Sequence, residues 1–393
     1  MSPPTKLHYP PAGFGAPKNR RGHARGSLGE IGLPAGTEIF SADNHLSVAA
    51  DIFYDKFPDD LKDEAPRIWY EDGAYMVGVK GQSFVVGDFS AVLMQYDDLP
   101  GAATGAADIE TRIRELADDG VDRELAFPNA VLALFHYPDK VLRERIFRIY
   151  NEYVADIQER SNGHFYGVGL INWWDPAGAK RTIDELKALG LKTFLMPLYP
   201  GFDDDGVVID YGSTAMIPVW DAIEEAGLPV THHIGETPPK SPCEFGSVAV
   251  AMMINVDSFR DMFARYIFSG ILDKHPGLKV GWFEGGIAWV PSALQDGEHV
   301  LASYRHMLDQ PPRHDIRYYW DTHMSASFMV DPLGLRLIEE IGVDRVMWSS
   351  DYPHNESTFG YSEQSLSAVV SALGPENAAK VVSGNIKKFL GIV

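Results

Sequence analysis

The chain of 393 residues carries 34 Lys+Arg against 55 Asp+Glu, a formal net charge of −21 at pH 7, with 45% hydrophobic and 23% charged residues. This is the make-up of an ordinary globular protein and excludes disorder over most of the length. The acidic balance excludes a nucleic-acid binder or a binder of anionic membranes, because phosphate contacts need Lys and Arg in excess, and leaves a small molecule as the expected partner.

Residues 1–36 read as an extended N-terminal arm. Pro3, Pro4, Pro10, Pro11 and Pro17 oppose a helix, and residues 1–29 hold Lys6, Lys18, Arg20, Arg21 and Arg25 without an acid. The stretch lacks the apolar core of a signal peptide. It is either a mobile tail or an arm that docks on a neighbouring subunit, with a homodimer as the default assembly. No long apolar run offers a transmembrane helix. The single cysteine, Cys243, can form neither an internal disulfide nor a thiolate metal site, and a cytoplasmic setting is expected.

From residue 37 onward, short apolar runs alternate with longer amphipathic ones. Residues 38–42 predict a first strand ending at Asp43-Asn44-His45. Residues 67–70 and 74–79, joined through Glu71-Asp72-Gly73, predict a hairpin, with a further short strand over 83–86. A regular alternation follows. Helices are expected over about 108–119, 138–161 and 213–226, and another opens at Asp175-Pro176 and ends at Gly190. Strands are expected at 123–127, 166–171, 192–196, 229–233, 279–284, 318–322 and 345–350. Eight strands, nearly all followed by a helical pattern, predict one (β/α)8 barrel over residues 37–393, with a β-hairpin insertion after strand 1. A doubly wound sheet is disfavoured, since neither Gly13-Phe14-Gly15 nor Gly101…Gly105 forms a phosphate-binding fingerprint after an early strand.

Function in such a barrel belongs to the C-terminal strand ends. Those ends carry Asp43 and His45, His232 and His233, Glu284, His323, Asp351 and His354. His and Asp are divalent-metal ligands. Asp43 and His45 stand at i and i+2, on one face of an extended segment. Of the adjacent histidines only one can enter the mouth; the other belongs between strand and helix.

The ordered set resembles the amidohydrolase-related metal enzymes of the aminocarboxymuconate-semialdehyde decarboxylase type. The resemblance rests on Ser41-Ala42-Asp43-Asn44-His45, His233-Ile234-Gly235, residues 283–291 around Glu284-Gly285-Gly286, and Trp348 through His354. It implies an amidohydrolase barrel with one divalent metal held by Asp43, His45, His233 and Asp351. His233 is chosen over His232 because the ligand histidine of the family directly precedes an Ile/Val-Gly pair. Lys192 opens its strand instead of closing it, which disfavours the carboxylated lysine of two-metal relatives. Zinc is the first choice of metal, with Mn, Fe or Co as alternatives.

In one respect the chain departs from the family. Relatives with decarboxylase activity carry His-Gly-Gly at the sixth strand, where this chain has Glu284-Gly285-Gly286. A glutamate can serve as general base for metal-bound water, and it repels a substrate carboxylate. The expected activity is therefore hydrolysis of a small cyclic or aromatic substrate by metal-activated water. In that reading the metal lowers the pKa of bound water from about 15.7 towards ~7, Asp351 accepts a proton, and Glu284 or His354 passes one to the leaving group. Trp173, Trp289 and Tyr352 are the expected substrate contacts. The alternative is non-oxidative decarboxylation of an aromatic or conjugated acid on the same metal. A non-catalytic binding barrel stands third.

Overall fold

A computed structural model describes residues 31–48, 51–71, 74–79, 82–83, 108–235, 247–354 and 356–392. Most of the expected arm, residues 1–30, lies outside them; at its described end Ile31 and Leu33 pack against the core. Among the described residues no helix is long and apolar enough to cross a membrane.

The first strand, β1 (Phe40–Leu46), is buried along its whole length. A short helical stretch leads to an antiparallel excursion of β2 (Arg67–Glu71), β3 (Ala74–Val79) and β4 (Gln82–Ser83). Glu71 pairs with Ala74, so β2 and β3 are separated by the two residues of the expected Asp-Gly turn, which fall outside the described set. Helix α1 (Ile109–Asp118) opens where the Asp108 side chain accepts from Thr111 N at 2.9 Å and buries Ile109, Arg112 and Leu116 on one stripe. It leads to β5 (Arg123–Pro128). Helix α2 (Lys140–Arg160) is capped by Asp139 on Val141 N and Leu142 N. The strand after it is interrupted once, giving β6 (Phe165–Gly167) and β7 (Gly169–Leu170).

Helix α3 (Ala179–Ala188) begins later than expected. Asp175 and Pro176 form a turn closed by Gly178 N on Asp175 O, and no side chain caps α3. Strand β8 (Phe194–Leu195), helix α4 (Ile217–Ala226, ending at Gly227 with φ 67°) and β9 (Val230–His233) follow. Helix α5 (Asp257–Phe268) precedes β10 (Val280–Phe283), and α6 (Trp289–Tyr304) follows it.

The expected strand at 318–322 is instead part of helix α7 (Ile316–His323), and the strand is β11 (Met324–Phe328). The aromatic run reads as β from propensity. Yet Asp315 caps Tyr318 N at 2.7 Å, and Ile316, Tyr319, Trp320 and His323 are buried at helical spacing. Finally β12 (Val346–Trp348) leads through a loop to α8 (Ser362–Leu373).

The parallel strands neighbour one another in the order β1, β5, β6/β7, β8, β9, β10, β11, β12. Val168 N bridges β6 and β7 by donating to Ala126 O on β5. The ring closes between its ends where Asp351 N donates to Asp43 O and His45 N to Tyr352 O, each at 2.7 Å. The fold is the expected (β/α)8 barrel with its excursion after β1. Strands buried on both faces, as in β9, β10 and β12, are what a parallel sheet wrapped in helices requires.

Candidate metal centre

Six ionisable side chains meet at one end of the barrel. Asp43 and His45 come from β1, His233 closes β9, Glu284 follows β10, and Asp351 and His354 follow β12. Local backbone aims them. Between Ser41 and Asn44 the β1–β5 register slips, so Ala42 and Asp43 oppose Leu125 alone; such a bulge re-aims side chains. Glu284 and Asp351 have φ of 68° and 61°, left-handed values that cost a non-glycine residue about 1 kcal/mol or more and persist where the surroundings hold them. Gly285 is obligatory after Glu284, because a Cβ there would lie 2.2 Å from Phe259 Cε2, and Gly286 continues at φ 67°. Asp331 fixes this turn by accepting from Ile287 N at 2.7 Å and Ala288 N at 2.9 Å.

His233 Nε2 lies 3.3 Å from Asp43 Oδ1 and 3.1 Å from Glu284 Oε2. His45 Nε2 is 3.2 Å from Asp351 Oδ1 and 3.8 Å from both Asp43 Oδ1 and Glu284 Oε2. His354 Nδ1 is 3.1 Å from Asp351 Oδ1 and 3.7 Å from Glu284 Oε1, and its ring stacks on His45 with centroids 3.8 Å apart. Atoms bound to one ion at about 2.1–2.2 Å stand roughly 3.0 Å apart at octahedral angles and 3.5 Å at tetrahedral ones, so the cluster has the dimensions of a coordination shell. Asp43 Oδ2, both ring nitrogens of His45 and both oxygens of Asp351 are buried without a hydrogen-bond partner. Buried polar atoms left in that state are completed by an ion, a ligand or ordered water. Among the described residues, the groups able to hold a metal are Asp43–His45–His233 and His45–Glu284–Asp351–His354.

The electrostatics of the metal-free cluster are those of crowded charges in a dry site. Burial pushes the Asp43 carboxyl up to about 6 against the pull of His233. Burial and the neighbouring Asp351 push Glu284 up to about 8. Burial works against protonated His233, yet Asp43 and Glu284 raise it to about 9. His354 is likewise held well above its ordinary value, against burial, by Asp351 and Glu284. His45 is held well below its own, by burial and by His354. Asp351 stays below the usual carboxylate range despite burial, because His354 and His45 flank it. The His233 Nδ1 lies 2.7 Å from Ile234 O; a carbonyl only accepts, so Nδ1 keeps its proton, and Nε2 is the nitrogen that becomes free to face the cluster when the imidazolium gives up its other one.

His232 points the other way. Its Nδ1 meets Met196 O at 2.7 Å and its Nε2 the Tyr266 hydroxyl at 2.9 Å, and burial holds it down to about 3. His323 does not reach the mouth: it ends α7, ahead of β11, with Nδ1 2.9 Å from Leu278 O. The three aromatics expected to touch substrate are packed inside the protein. Trp173 donates to Pro200 O at 2.9 Å within a cluster of Phe135, Phe147 and Trp174. Trp289 donates to Gly286 O at 3.0 Å and packs against Trp282 and Trp320. Tyr352 is fully buried, with its hydroxyl on the Glu115 carboxylate.

Sequence reasoning missed the layer beneath the cluster. Arg112, fully buried on α1, makes a bidentate pair with Glu124 at 2.6 and 2.7 Å and donates to His45 O at 2.8 Å. Asn44 donates to Glu124 at 2.6 Å. The available signal was an arginine standing in the apolar stripe Ile109–Arg112–Leu116.

The chain is 24% identical over 279 residues to a γ-resorcylate decarboxylase from Polaromonas sp. (strain JS666 / ATCC BAA-500), covering 67% of this chain and 83% of that protein. Among solved structures it resembles an amidohydrolase from Mycobacterium avium subsp. paratuberculosis K-10, with a TM-score of 0.71, 18% identity and coverage of 91% of this chain and 100% of that one. It also resembles a 5-carboxyvanillate decarboxylase from Novosphingobium aromaticivorans DSM 12444 in complex with manganese, with a TM-score of 0.68, 16% identity and coverage of 92% and 98%. The γ-resorcylate decarboxylase overturns the expectation of hydrolysis, because the reaction its name states is decarboxylation. In the metal-free cluster Glu284, pushed up to about 8 by burial and by Asp351 and set between the His233 and His354 imidazoles, is not a fixed negative charge. Residues 41–392 match the model of the amidohydrolase family, and the chain belongs to that family.

Proposed function

We propose that the protein is a divalent-metal-dependent, non-oxidative decarboxylase of a hydroxylated aromatic carboxylic acid. The observation that carries this reading is the buried cluster of three carboxylates and three imidazoles, at ligand spacing and with orphaned donor atoms, in a chain whose named relatives decarboxylate such acids. Asp43, His45, His233 and Asp351 are the proposed ligands. A mixed carboxylate–imidazole set suits manganese or zinc, and the manganese of the Novosphingobium enzyme makes Mn²⁺ the first ion to test. A bound divalent cation supplies a fixed positive charge that orients an anionic substrate.

Glu284 and His354 carry the proton. Protonated Glu284 adds its proton to the ring carbon that bears the carboxylate. The bond from that carbon to the carboxylate then breaks, its electron pair restores the aromatic system, and carbon dioxide leaves. His354, with Nδ1 3.7 Å from Glu284 Oε1, returns a proton to Glu284. The net change is acid anion plus proton to arene plus carbon dioxide, with no water consumed.

The test is turnover of a panel of hydroxybenzoates by the Mn²⁺-loaded enzyme in D₂O. The expected result is stoichiometric carbon dioxide and one deuterium at the vacated ring position. Turnover of a cyclic ester or amide with incorporation of solvent oxygen, and no carbon dioxide from any acid, would refute the proposal.

A further inference from the structure

Tyr352 follows Asp351, whose φ of 61° is unusual for a non-glycine residue, and every polar atom of Tyr352 is gripped. Its N–H donates to Asn44 Oδ1 at 2.9 Å, its carbonyl accepts from His45 N at 2.7 Å, and its hydroxyl donates to the Glu115 carboxylate. The Arg112 guanidinium lies 4.9 Å from its ring centroid. The partners are themselves joined: Asn44 to Glu124, Glu124 to Arg112, and Arg112 to the backbone of His45. Further along the same helical face, Asp119 accepts from Gly360 N at 2.8 Å and Ser362 Oγ at 2.5 Å. One outer helix therefore holds both the strand that carries His45 and the loop that carries Asp351 and His354.

We infer that Tyr352 is a positioning residue: clasped between β1 and α1, it holds Asp351 against His45 and so sets the spacing of the donor atoms. This rests on the cation site proposed above. The hydroxyl of Tyr352, a residue expected to touch substrate, is committed to Glu115. Donor atoms must be held to roughly half an ångström to bind a metal well, and removing a residue that orients a ligand typically costs about 10–100-fold in metal affinity.

The experiment measures Mn²⁺ affinity by calorimetry and the electron paramagnetic resonance spectrum of bound Mn²⁺, on full-length variants shown by circular dichroism to be folded. Tyr352→Phe keeps the ring beside Arg112 and deletes only the hydroxyl. Its Kd should rise about 10–100-fold with a changed zero-field pattern. Glu115→Leu removes the same bond and should match it, the double variant should lose no more than either single one, and Glu115→Gln, which keeps an acceptor, should restore near wild-type affinity. If Tyr352→Phe does not fold, the Glu115→Leu and Glu115→Gln pair decides the question. Wild-type affinity and spectrum in folded Tyr352→Phe or Glu115→Leu would overturn the inference and leave the proposed function standing. A wild-type chain that takes up no Mn²⁺ would overturn both.

Discussion

With His233 among the proposed ligands, metal binding to this cluster should strengthen steeply with pH, because the cation would have to displace a proton from that imidazole. In the metal-free chain that imidazole is raised to about 9, so around neutrality its Nε2 is occupied. Each pH unit below 9 should then cost a factor of about ten in apparent affinity, or about 1.36 kcal/mol. Between pH 8.5 and 6.5 the expected weakening is about 100-fold, close to 2.7 kcal/mol. Isothermal titration with Mn²⁺ in buffers of different ionisation enthalpy gives both affinity and proton count; about one proton should be released per ion near pH 7.5. A slope nearer two would mean that Glu284, at about 8, also gives up its proton to the cation. The metal-free fold should move the opposite way. His233 and Glu284 hold protons in the native state that the unfolded chain has released, between about 6.5 and 9 and between about 4.5 and 8 respectively. Stability without metal should therefore fall as pH rises through those windows, and protection by Mn²⁺ against thermal unfolding should grow. An affinity that is flat from pH 6.5 to 8.5 would refute the reasoning, since His233 would then not be competing with the ion.

Glu284→Gln keeps the reach of the side chain and removes its transferable proton; turnover should drop about 10²–10⁴-fold while metal content by elemental analysis stays at the wild-type level. Undiminished turnover would move proton donation to another group. Arg112→Met leaves Glu124 charged and 1% exposed beneath the cluster, and should destabilise the fold by about 3–5 kcal/mol in urea titration. Glu124→Leu in the same chain should return part of that loss, because it removes the uncompensated charge.

The parts of the molecule legible in the sequence are those written in local chemistry. The alternation of strands and helices, the hairpin register around residues 72–73 and the stop of α4 at Gly227 all follow from short-range rules. Asp43 and His45 could be placed together because two residues of extended chain share a face. What escaped depends on partners remote in sequence. The aromatic run of α7 has strand-like propensity, and only burial at helical spacing, with the Asp315 cap, decides for a helix. Glu284 and His354 were legible as strand-end residues, but not the left-handed backbone through which Glu284 reaches His233 and His354. Trp173, Trp289 and Tyr352 stand close to strand ends in sequence, but their polar atoms are bound inside the protein.

The left-handed conformation at Glu284 also bears on how such an enzyme changes over evolutionary time. Because β10 and the Gly285–Gly286 turn aim this position through the main chain, a different side chain would leave from the same point in the same direction. Histidine is among the residues that tolerate this backbone better than most, whereas β-branched residues do not. Exchanging the glutamate for an imidazole would alter the formal charge of the pocket by one unit without rebuilding a strand or a loop. With Glu284 as the proposed proton carrier, the position is a socket for an interchangeable one, and a lineage could retune its acid–base chemistry there in one substitution.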